Sequence, residues 1–486
     1  MNKILLFALL IASTYGCLAQ NKLELTLPLA IKMAQANAPE SIIARKQLEQ
    51  KKIQFKQFES RLRPNLSLDV NPFNFNRYIS AITLPNGTEA FVPRSFMNSK
   101  IALNLSQELP FSGGNIFASS SLNRLEIFDP SSSKSYLSTP INFGINQTLF
   151  GFNNTKWDKQ TEPLAIVEAE KVYNEEMEAI AIRTIGNFFN LYIAEINKSI
   201  AQQNKANSDT IYKISQGRYN LGKIGENELL QIELNRLNAN AEVVQSDLNI
   251  QKSTFELKNN LGIKAETQLK LEPNFDVPDL NIDVQSAWNE AKQNLSRFSA
   301  NNLDMHYANR EIARVKGNTG IDIDIFASFG LSNSSSTFEG AYNNPQDQEQ
   351  IGVGVSIPLI DWGNAKNQKN IAQLNYEIVD TRIKKENNEF ELLLTKQIQE
   401  FNLAAAQFNI AQKANDVANR RYEITIKRYL IGKISISDLT IANQEKDKAR
   451  RAYVVALRTY WNNYYSVRQN TLYDFVEGRK ISYAID

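Results

Sequence analysis

Two patterns of apolar positions alternate along this chain. Short segments such as "GIDIDIFASFG" (320–330) alternate apolar and polar residues with the period of two that is typical of a half-buried β-strand. Long proline-free segments instead repeat apolar residues at the four-three spacing of a coiled-coil seam. One such seam consists of Leu230, Leu234, Leu237, Ala241, Val244, Leu248 and Phe255. The pattern predicts a mainly helical chain that is interrupted by two groups of strands.

An internal repeat with an offset of 210 residues organises these segments. "GRYNLGKIGENELL" (217–230) recurs as "KRYLIGKISISDLT" (427–440), and "FGINQTLFGFNN" (143–154) aligns with "VGVSIPLIDWGN" (353–364). Between these motifs, both copies hold 68 residues. Because glycine commonly ends a helix, Gly222 and Gly432 are expected to separate a long helix from a second one. The repeat therefore predicts a long antiparallel helical hairpin that is made twice.

The predicted strands lie between the helices of each copy. They fall within 65–150 in the first repeat and within 320–358 in the second, and a shorter helix over about 33–62 precedes the first group. We expect about four strands per protomer; the segment "NIFASSSLN" leaves open whether the first repeat adds another strand pair. In an exported chain, such strands fit a membrane β-barrel. Four to six strands leave unpaired edges, so we expect closure by several copies, and three copies of four strands would give twelve.

The first twenty residues, "MNKILLFALLIASTYGCLAQ", have the basic start and short apolar run of a secretory signal peptide. We expect the signal peptide to span 1–19, with cleavage after Ala19. Cys17 is the only cysteine, and lipidation there is the alternative. Thr14 stands where a lipidation motif normally has an aliphatic residue. Both alternatives stay open at this point.

Composition and motifs argue against catalysis. Lys and Arg number 54 against 52 Asp and Glu, so no strong field favours nucleic acid as a partner. His306 is the only histidine, and no P-loop, GxSxG motif or zinc-ligand spacing occurs. We therefore expect no enzyme activity, no cofactor and no metal site.

Several motifs together carry a resemblance to a known family. They are "LTLPLAIKMAQANAPESIIA" (25–44), "SRLRPNLSLD" (60–69), "SIPLIDWGNAKN" (356–367) and the paired "RYxxGKIxxxxL" phrases. With these motifs, essentially the whole mature chain resembles the TolC-like outer membrane efflux proteins, also called outer membrane factors. The resemblance implies a homotrimer with a 12-stranded barrel in the outer membrane of a Gram-negative bacterium and a tube of helices in the periplasm. It also implies three kinds of partner: a periplasmic adaptor, an inner-membrane transporter and outer membrane lipid.

The repeat and the resemblance together set the expected domain boundaries. These are a first structural repeat over 20–275 with its hairpin at 154–262, a second repeat over 276–486 with its hairpin at 364–472, and a C-terminal equatorial tail over 473–486.

The resemblance also assigns candidate site residues. By motif match, the periplasmic tips that would contact the adaptor are Gly222, Lys223, Gly432 and Lys433, and the candidate gate residues are Glu228, Asp438, Arg218 and Arg428. Ile441 stands one turn after Asp438, where a second acid would have strengthened a gate. The alternative is that the two acids stabilise helix N-termini and the two arginines stabilise helix C-termini.

Two questions about function stay open at this level. The rival to a channel is a periplasmic coiled-coil structural or adaptor protein without a membrane barrel. For a channel, the cargo is not readable, because drug efflux, metal efflux and type I protein secretion all use this family.

Overall fold

A computed structural model describes residues 22–83, 85, 87–129, 131–273, 275, 277–278, 280–431 and 433–484. The predicted signal peptide, Cys17 and Gly432 lie outside the described residues. The helices are α1 (Leu27–Asn37), α2 (Pro39–Arg61), α3 (Asn154–Asn220), α4 (Glu226–Leu261), α5 (Val284–Asn294), α6 (Ser296–Asn318), α7 (Asn364–Leu430) and α8 (Ile436–Gln469). The strands are β1 (Lys22–Leu25), β2 (Asn65–Thr83), β3 (Glu89–Glu108), β4 (Asn115–Asp129), β5 (Ser133–Leu149), β6 (Gln268–Leu271), β7 (Asp322–Ser335), β8 (Gln346–Ser356), β9 (Tyr473–Asp474) and β10 (Arg479–Lys480).

The helices occur in two matching sets. Helices α3 and α7 each have 67 residues, and α4 and α8 follow them with 36 and 34. Helices α1 and α5 each have 11 residues, and α2 and α6 each have 23. The predicted duplication of long helical hairpins is therefore confirmed. The single helix expected over about 33–62 is wrong, because the chain breaks at Ala38 with a ψ of 142°. Pro39 follows, and proline disfavours helical geometry in the residue before it.

The chain divides into two compact units. The helical unit consists of the chain up to Leu48, Glu170–Ser296 and the chain from Asn388 onward. The strand unit consists of Glu49–Ala169 and Arg297–Asn387. Each unit draws on both repeats, so the units do not coincide with the repeats.

The strand unit holds a six-stranded antiparallel sheet in the order β2-β3-β4-β5-β7-β8. The first repeat supplies two hairpins and the second supplies one, so the expectation of about four strands becomes six. The turn between β3 and β4 explains the difference. There Gly113 adopts a φ of +78°, and its N–H donates to the carbonyl of Leu109 at 2.8 Å. Glycine takes this left-handed geometry at little steric cost, and the chain reverses into β4.

The sheet has one apolar face and one polar face. Leu68 pairs with Leu103, and Val70 pairs with Ile101, and all four side chains are exposed in the single chain. On the opposite face, the amide of Asn104 donates to the carboxylate of Asp69 at 2.6 Å. The sheet thus alternates with the period of two that the sequence shows.

Side-chain contacts give the order of the long helices within the helical unit. The contacts that join neighbours are Arg236–Asp209 between α4 and α3, Asn204–Asp447 between α3 and α8, and Arg421–Glu445 between α8 and α7. The order is therefore α4-α3-α8-α7, with α4 and α7 as the flanking helices. Aromatic packing supports it, since the Phe401 ring on α7 lies 5.3 Å from that of Tyr460 on α8.

A buried ionic network ties the two repeats together inside the helical unit. Arg468 on α8 donates twice to the carboxylate of Glu178 on α3, at 3.0 and 3.2 Å, and Glu178 is 0% exposed. Arg468 also donates to Asp474 at 2.7 Å, and the Tyr464 hydroxyl donates to the other oxygen of that carboxylate at 2.6 Å. The hydroxyl of Tyr483 donates to Glu178 as well. The two acids and their single arginine are therefore held by hydrogen bonds in addition to charge.

Burial and charge act in opposite directions on this network. Burial by itself would lower the pKa of Arg468, but the attraction of Glu178 outweighs it and raises that pKa above its ordinary value. For Asp474, burial would raise the pKa, but the hydrogen bond from Tyr464 and the charge of Arg468 lower it. The stabilisation from Asp474 is therefore present above its ordinary pKa of 3.8 and is lost as the pH falls below that value.

Among the residues that the structure describes, no helix is both long enough and apolar enough to cross a lipid bilayer.

We predict that Arg468→Met destabilises the protein strongly. The substitution keeps most of the side-chain volume but leaves Glu178 buried without its cation, which typically costs about 3–5 kcal/mol. Thermal unfolding of the purified protein, followed by helical circular dichroism, measures the effect as a lowered Tm.

The matched control for this prediction is Arg382→Met. Arg382 pairs with Asp304 at 2.7 Å, but both side chains are about half exposed. Such a surface pair contributes at most about 1 kcal/mol. Equal losses of Tm in the two variants would contradict a special role for the buried network.

Candidate functional site at the hairpin tips

The first hairpin turns at Gly222. Helix α3 ends just before it, and Gly222 adopts a φ of +64°. The N–H of Gly222 donates to the carbonyl of Tyr219 at 2.8 Å, and the N–H of Lys223 donates to that of Arg218 at 2.9 Å. This pair of bonds is the Schellman motif, which satisfies the last carbonyls of a helix. The side chain of Lys223 is exposed at the turn.

The second hairpin has the equivalent long bond at its turn. The N–H of Lys433 donates to the carbonyl of Arg428 at 3.0 Å, as Lys223 does to Arg218. The side chains of Lys433 and Arg428 are exposed. Gly432, which was predicted to contact an adaptor, lies outside the described residues. The two tips thus share the backbone geometry that the repeated motif indicates.

The helices that leave the two tips begin differently. Helix α8 begins with a capping box, in which the N–H of Asp438 donates to the Ser435 hydroxyl at 3.1 Å and the N–H of Ser435 donates to the Asp438 carboxylate at 3.1 Å. The Ser435 hydroxyl also donates to that carboxylate at 2.7 Å. At the equivalent position of α4, Gly225 makes no side-chain cap, although Glu226 and Glu228 lie in the first turn. Only the second hairpin has a side-chain cap at its tip.

The capping box changes the charge state of Asp438. The hydrogen bond from the Ser435 hydroxyl, followed by that from its backbone N–H, lowers the pKa of this carboxyl. Asp438 is exposed, so it stays ionised at neutral pH while it accepts these bonds. Its geometry agrees with the alternative in which the acid stabilises a helix N-terminus, and its role in a gate stays a prediction.

Arg218 connects the two hairpins. Its guanidinium lies 5.7 Å from the centre of the Tyr429 ring, within cation–π range. Tyr429 is 5% exposed, whereas its counterpart in the first repeat, Tyr219, is 39% exposed. The repeated tyrosine therefore packs between the hairpins in only one of its two copies.

An apolar cluster surrounds Tyr429 near the tips. Its buried members are Tyr422, Tyr429, Leu439 and Ala442, and the half-buried residues around them are Ile211, Ile426, Ile434 and Ile436. Ile211 comes from the first repeat, and the others come from the second. The cluster packs the two hairpins against one another just inside the turns.

A polar layer follows this cluster along the helices. Asn204 on α3 donates to the Asp447 carboxylate at 2.8 Å and accepts from the amide of Asn443 at 2.9 Å. The second oxygen of Asp447 lies 3.3 Å from the Lys446 ammonium, which also sits 4.1 Å above the Tyr422 ring. Burial, with the nearby Asp447 carboxylate, raises the pKa of the Tyr422 hydroxyl. These buried polar contacts favour one register between the first and second hairpins.

A cavity of about 410 Å³ opens beside this layer, bounded by α3, α4, α7 and α8. Side-chain amides dominate its polar lining, and they belong to Asn204, Asn207, Asn235, Asn238, Asn443 and Gln444. Among the described residues, no group of three or more His, Cys, Asp or Glu side chains is arranged to hold a metal ion. The cavity is therefore a polar gap between hairpins.

The predicted gate residues are not joined to one another. Among the described residues, no ion pair links Glu228 or Asp438 to Arg218 or Arg428. Sequence reasoning missed Tyr422, Tyr429, Asn204 and Asp447 as site residues. The one available signal was the spacing of Asn197 and Asn204, which occupy the same heptad position as Ile211 on α3. Polar residues at a seam position often set helix register.

Comparison with known proteins agrees with this fold. Residues 289–470 match the family model described as outer membrane efflux protein. No curated protein matches the chain. The predicted resemblance to the TolC-like outer membrane efflux proteins is confirmed by this match and by the solved structures below.

Several solved outer membrane proteins share the fold. The CmeC outer membrane channel of Campylobacter jejuni superposes with a TM-score of 0.66 at 18% identity, over 92% of this chain and 85% of that one. VceC of Vibrio cholerae gives 0.62 at 13% identity, over 92% and 95% of the two chains. The open state of the Neisseria gonorrhoeae MtrE channel gives 0.62 at 13% identity, over 92% and 88%. Together with the family match, this likeness supports an outer membrane efflux role in general terms.

We predict that Ser435→Ala loosens the start of α8. The change removes the side-chain cap, which typically costs about 1 kcal/mol, so backbone amides of the first turn should exchange with solvent about 5-fold faster. Hydrogen–deuterium exchange of peptides covering 433–445 measures this effect. Ser437→Ala is the control, because Ser437 is exposed in the same turn and does not cap it. Equal exchange in the two variants would show that the cap does not hold the tip.

Proposed function

We propose that this chain, as a relative of the outer membrane efflux proteins, forms the exit duct of a tripartite efflux or type I secretion system in the outer membrane of a Gram-negative bacterium. It conducts substrates passively, and an inner-membrane transporter supplies the energy. One observation carries the proposal. The same chain combines a sheet with an exposed apolar face and a layer of four long helices with exposed apolar seams on its flanks.

The apolar face of the sheet supports contact with lipid. Leu68, Ile101 and Leu103 lie on it in neighbouring strands and are exposed in the single chain, and so are Val353 and Val355 on β8. An exposed apolar surface of this kind marks an interaction site. The opposite face carries Asp69 and Asn104, which suits a water-filled interior.

The flanking helices support closure by further copies of the chain. The seam on α4 and a seam on α7 are each more than half exposed, and their residues lie at matching distances from the tips. Leu237 lies 15 residues after Gly222, and Val417 lies 15 residues before Gly432. The same equality holds for the pairs Leu230 and Ile424, and Val244 and Ile410. Helix α4 of one copy therefore packs antiparallel on α7 of the next.

Three copies complete the ring in this proposal, because the family that the chain resembles is trimeric. The repeat boundaries predicted from the sequence, 20–275 and 276–486, belong to the same proposal. Each copy then adds two helical hairpins to the wall of a periplasmic tube.

The tips are the proposed contact with a periplasmic adaptor and the proposed gate. Lys223 and Lys433 are exposed at the two turns, where a partner can reach them. Arg218 holds the second hairpin through Tyr429, so opening requires this contact to break. Asp438, Glu228 and Arg428 contribute charge around the opening.

The rival function is less well supported. A periplasmic structural or adaptor protein built on coiled coils does not need a six-stranded sheet with an exposed apolar face. In water that face would promote aggregation.

We predict that a Leu237→Cys/Val417→Cys variant forms covalent trimers under mild oxidation. Each chain carries both cysteines, so disulfides between α4 and α7 of neighbouring copies link the ring completely. Denaturing gel electrophoresis without reductant should show a band at three times the chain mass.

The single variants Leu237→Cys and Val417→Cys are the controls, because neither can link more than two chains. A double variant that stays monomeric would contradict the proposed ring.

We predict that Arg218→Ala raises the open probability of the channel in planar bilayers by about 2- to 5-fold. The loss of a cation–π contact, about 0.5–1 kcal/mol, weakens the link between the hairpins. Arg428→Ala is the matched control, because Arg428 occupies the same motif position but is exposed. Equal open probabilities would remove Arg218 from the gate, and no conductance from any variant would contradict a channel.

A further inference from the structure

The two edge strands of the sheet, β2 and β8, lack a neighbour on one side within the described chain. We infer that each protomer contributes all six strands to the membrane wall, so that the closed trimer has eighteen strands and β2 of one copy pairs with β8 of the next. This inference rests on the proposed trimeric duct. It departs from the twelve strands that the family resemblance implies. The physical requirement is that edge backbone groups must find hydrogen bonds inside a bilayer.

The additional hairpin, β2–β3, continues the apolar face of the other strands. One row of paired residues crosses five strands without interruption, and it consists of Leu66, Leu105, Ala118, Phe143 and Phe329. Leu66 is exposed on this face to the same degree as the leucines and phenylalanines on the strands beside it. A hairpin lying outside the membrane would not need this apolar row.

The opposite face of the same hairpin is polar, as in the rest of the sheet. Ser67 and Asp69 on β2 pair with Asn104 and Ala102 on β3. On β7 and β8, the same face carries Asp324 opposite Gly354. Both faces of β2–β3 therefore match those of the strands that the second repeat supplies.

Strand direction also suits closure at β2 and β8. The six strands alternate in direction, so β2 and β8 run opposite to one another. When copies follow one another around a ring, β8 of one meets β2 of the next as an antiparallel pair, which continues the alternation. Closure with only four strands per copy would instead require β4 to leave β3. The ladder between them, from Phe96 opposite Ile127 to Glu108 opposite Asn115, would be lost.

Strand number sets the width of the pore. Barrel diameter grows roughly linearly with strand number, so eighteen strands enclose roughly twice the cross-section of twelve. Barrels of about 16–18 strands hold an open aqueous channel. The strand segment is then wide enough for large hydrated solutes, and size selection falls to the helical tips.

The test is cysteine cross-linking in the full chain, purified from membranes. Leu68→Cys on β2 is combined in turn with Ile351→Cys, Val353→Cys or Val355→Cys on β8, because the register between copies is not known in advance. A short thiol-reactive cross-linker is added, and covalent trimers are counted on denaturing gels. The control replaces Leu68→Cys with Ser120→Cys, which lies on β4 in the same row.

We expect at least one Leu68→Cys combination to give covalent trimers and the Ser120→Cys combinations to give none. Trimers from Ser120→Cys alone would overturn the eighteen-strand inference and leave the trimeric duct intact. If neither position cross-links while the helix-seam variant Leu237→Cys/Val417→Cys does, the inference also fails and the duct stands. If the helix-seam variant fails as well, the proposed ring itself is wrong.

Discussion

The buried ion pair between Glu178 and Arg468 is the contact on which the helical unit depends. It joins α3 of the first repeat to α8 of the second at a point from which water is excluded. Removing two charges from water is costly, so the pair persists only because Asp474, Tyr464 and Tyr483 supply further hydrogen bonds. Such a network favours a single alignment of its helices. The hairpins of the two repeats are thereby held in one register.

From that register follows the difference between the two tips. The repeated motif has the same backbone turn in both copies, but Tyr219 is exposed and Tyr429 is buried beneath Arg218. The Ser435 cap has no counterpart in the first copy, where Gly225 stands. Duplication therefore supplies two equivalent hairpins, and packing assigns them different environments. A contact between unlike copies can act as a latch, since it breaks when one hairpin moves.

The same chain leaves its flanks unsatisfied. The seams of α4 and α7 expose apolar side chains, and the edge strands β2 and β8 expose backbone hydrogen-bonding groups. Both kinds of surface are costly to leave open, the first in water and the second in hydrocarbon. A ring of identical copies satisfies both at once, because each chain carries complementary flanks.

The sequence alone determined the long hairpins, the turn at Gly222, and the alternating faces of the strands. These features depend on periodicity and on the geometry of glycine, which act over a few residues. Only the tertiary structure decided that the first repeat has four strands, that α1 and α2 are separate helices, and that Arg218 meets Tyr429. It also placed Glu178 beside Arg468, although 290 residues separate them. Contacts at that range depend on how complete elements pack, and no local pattern encodes them.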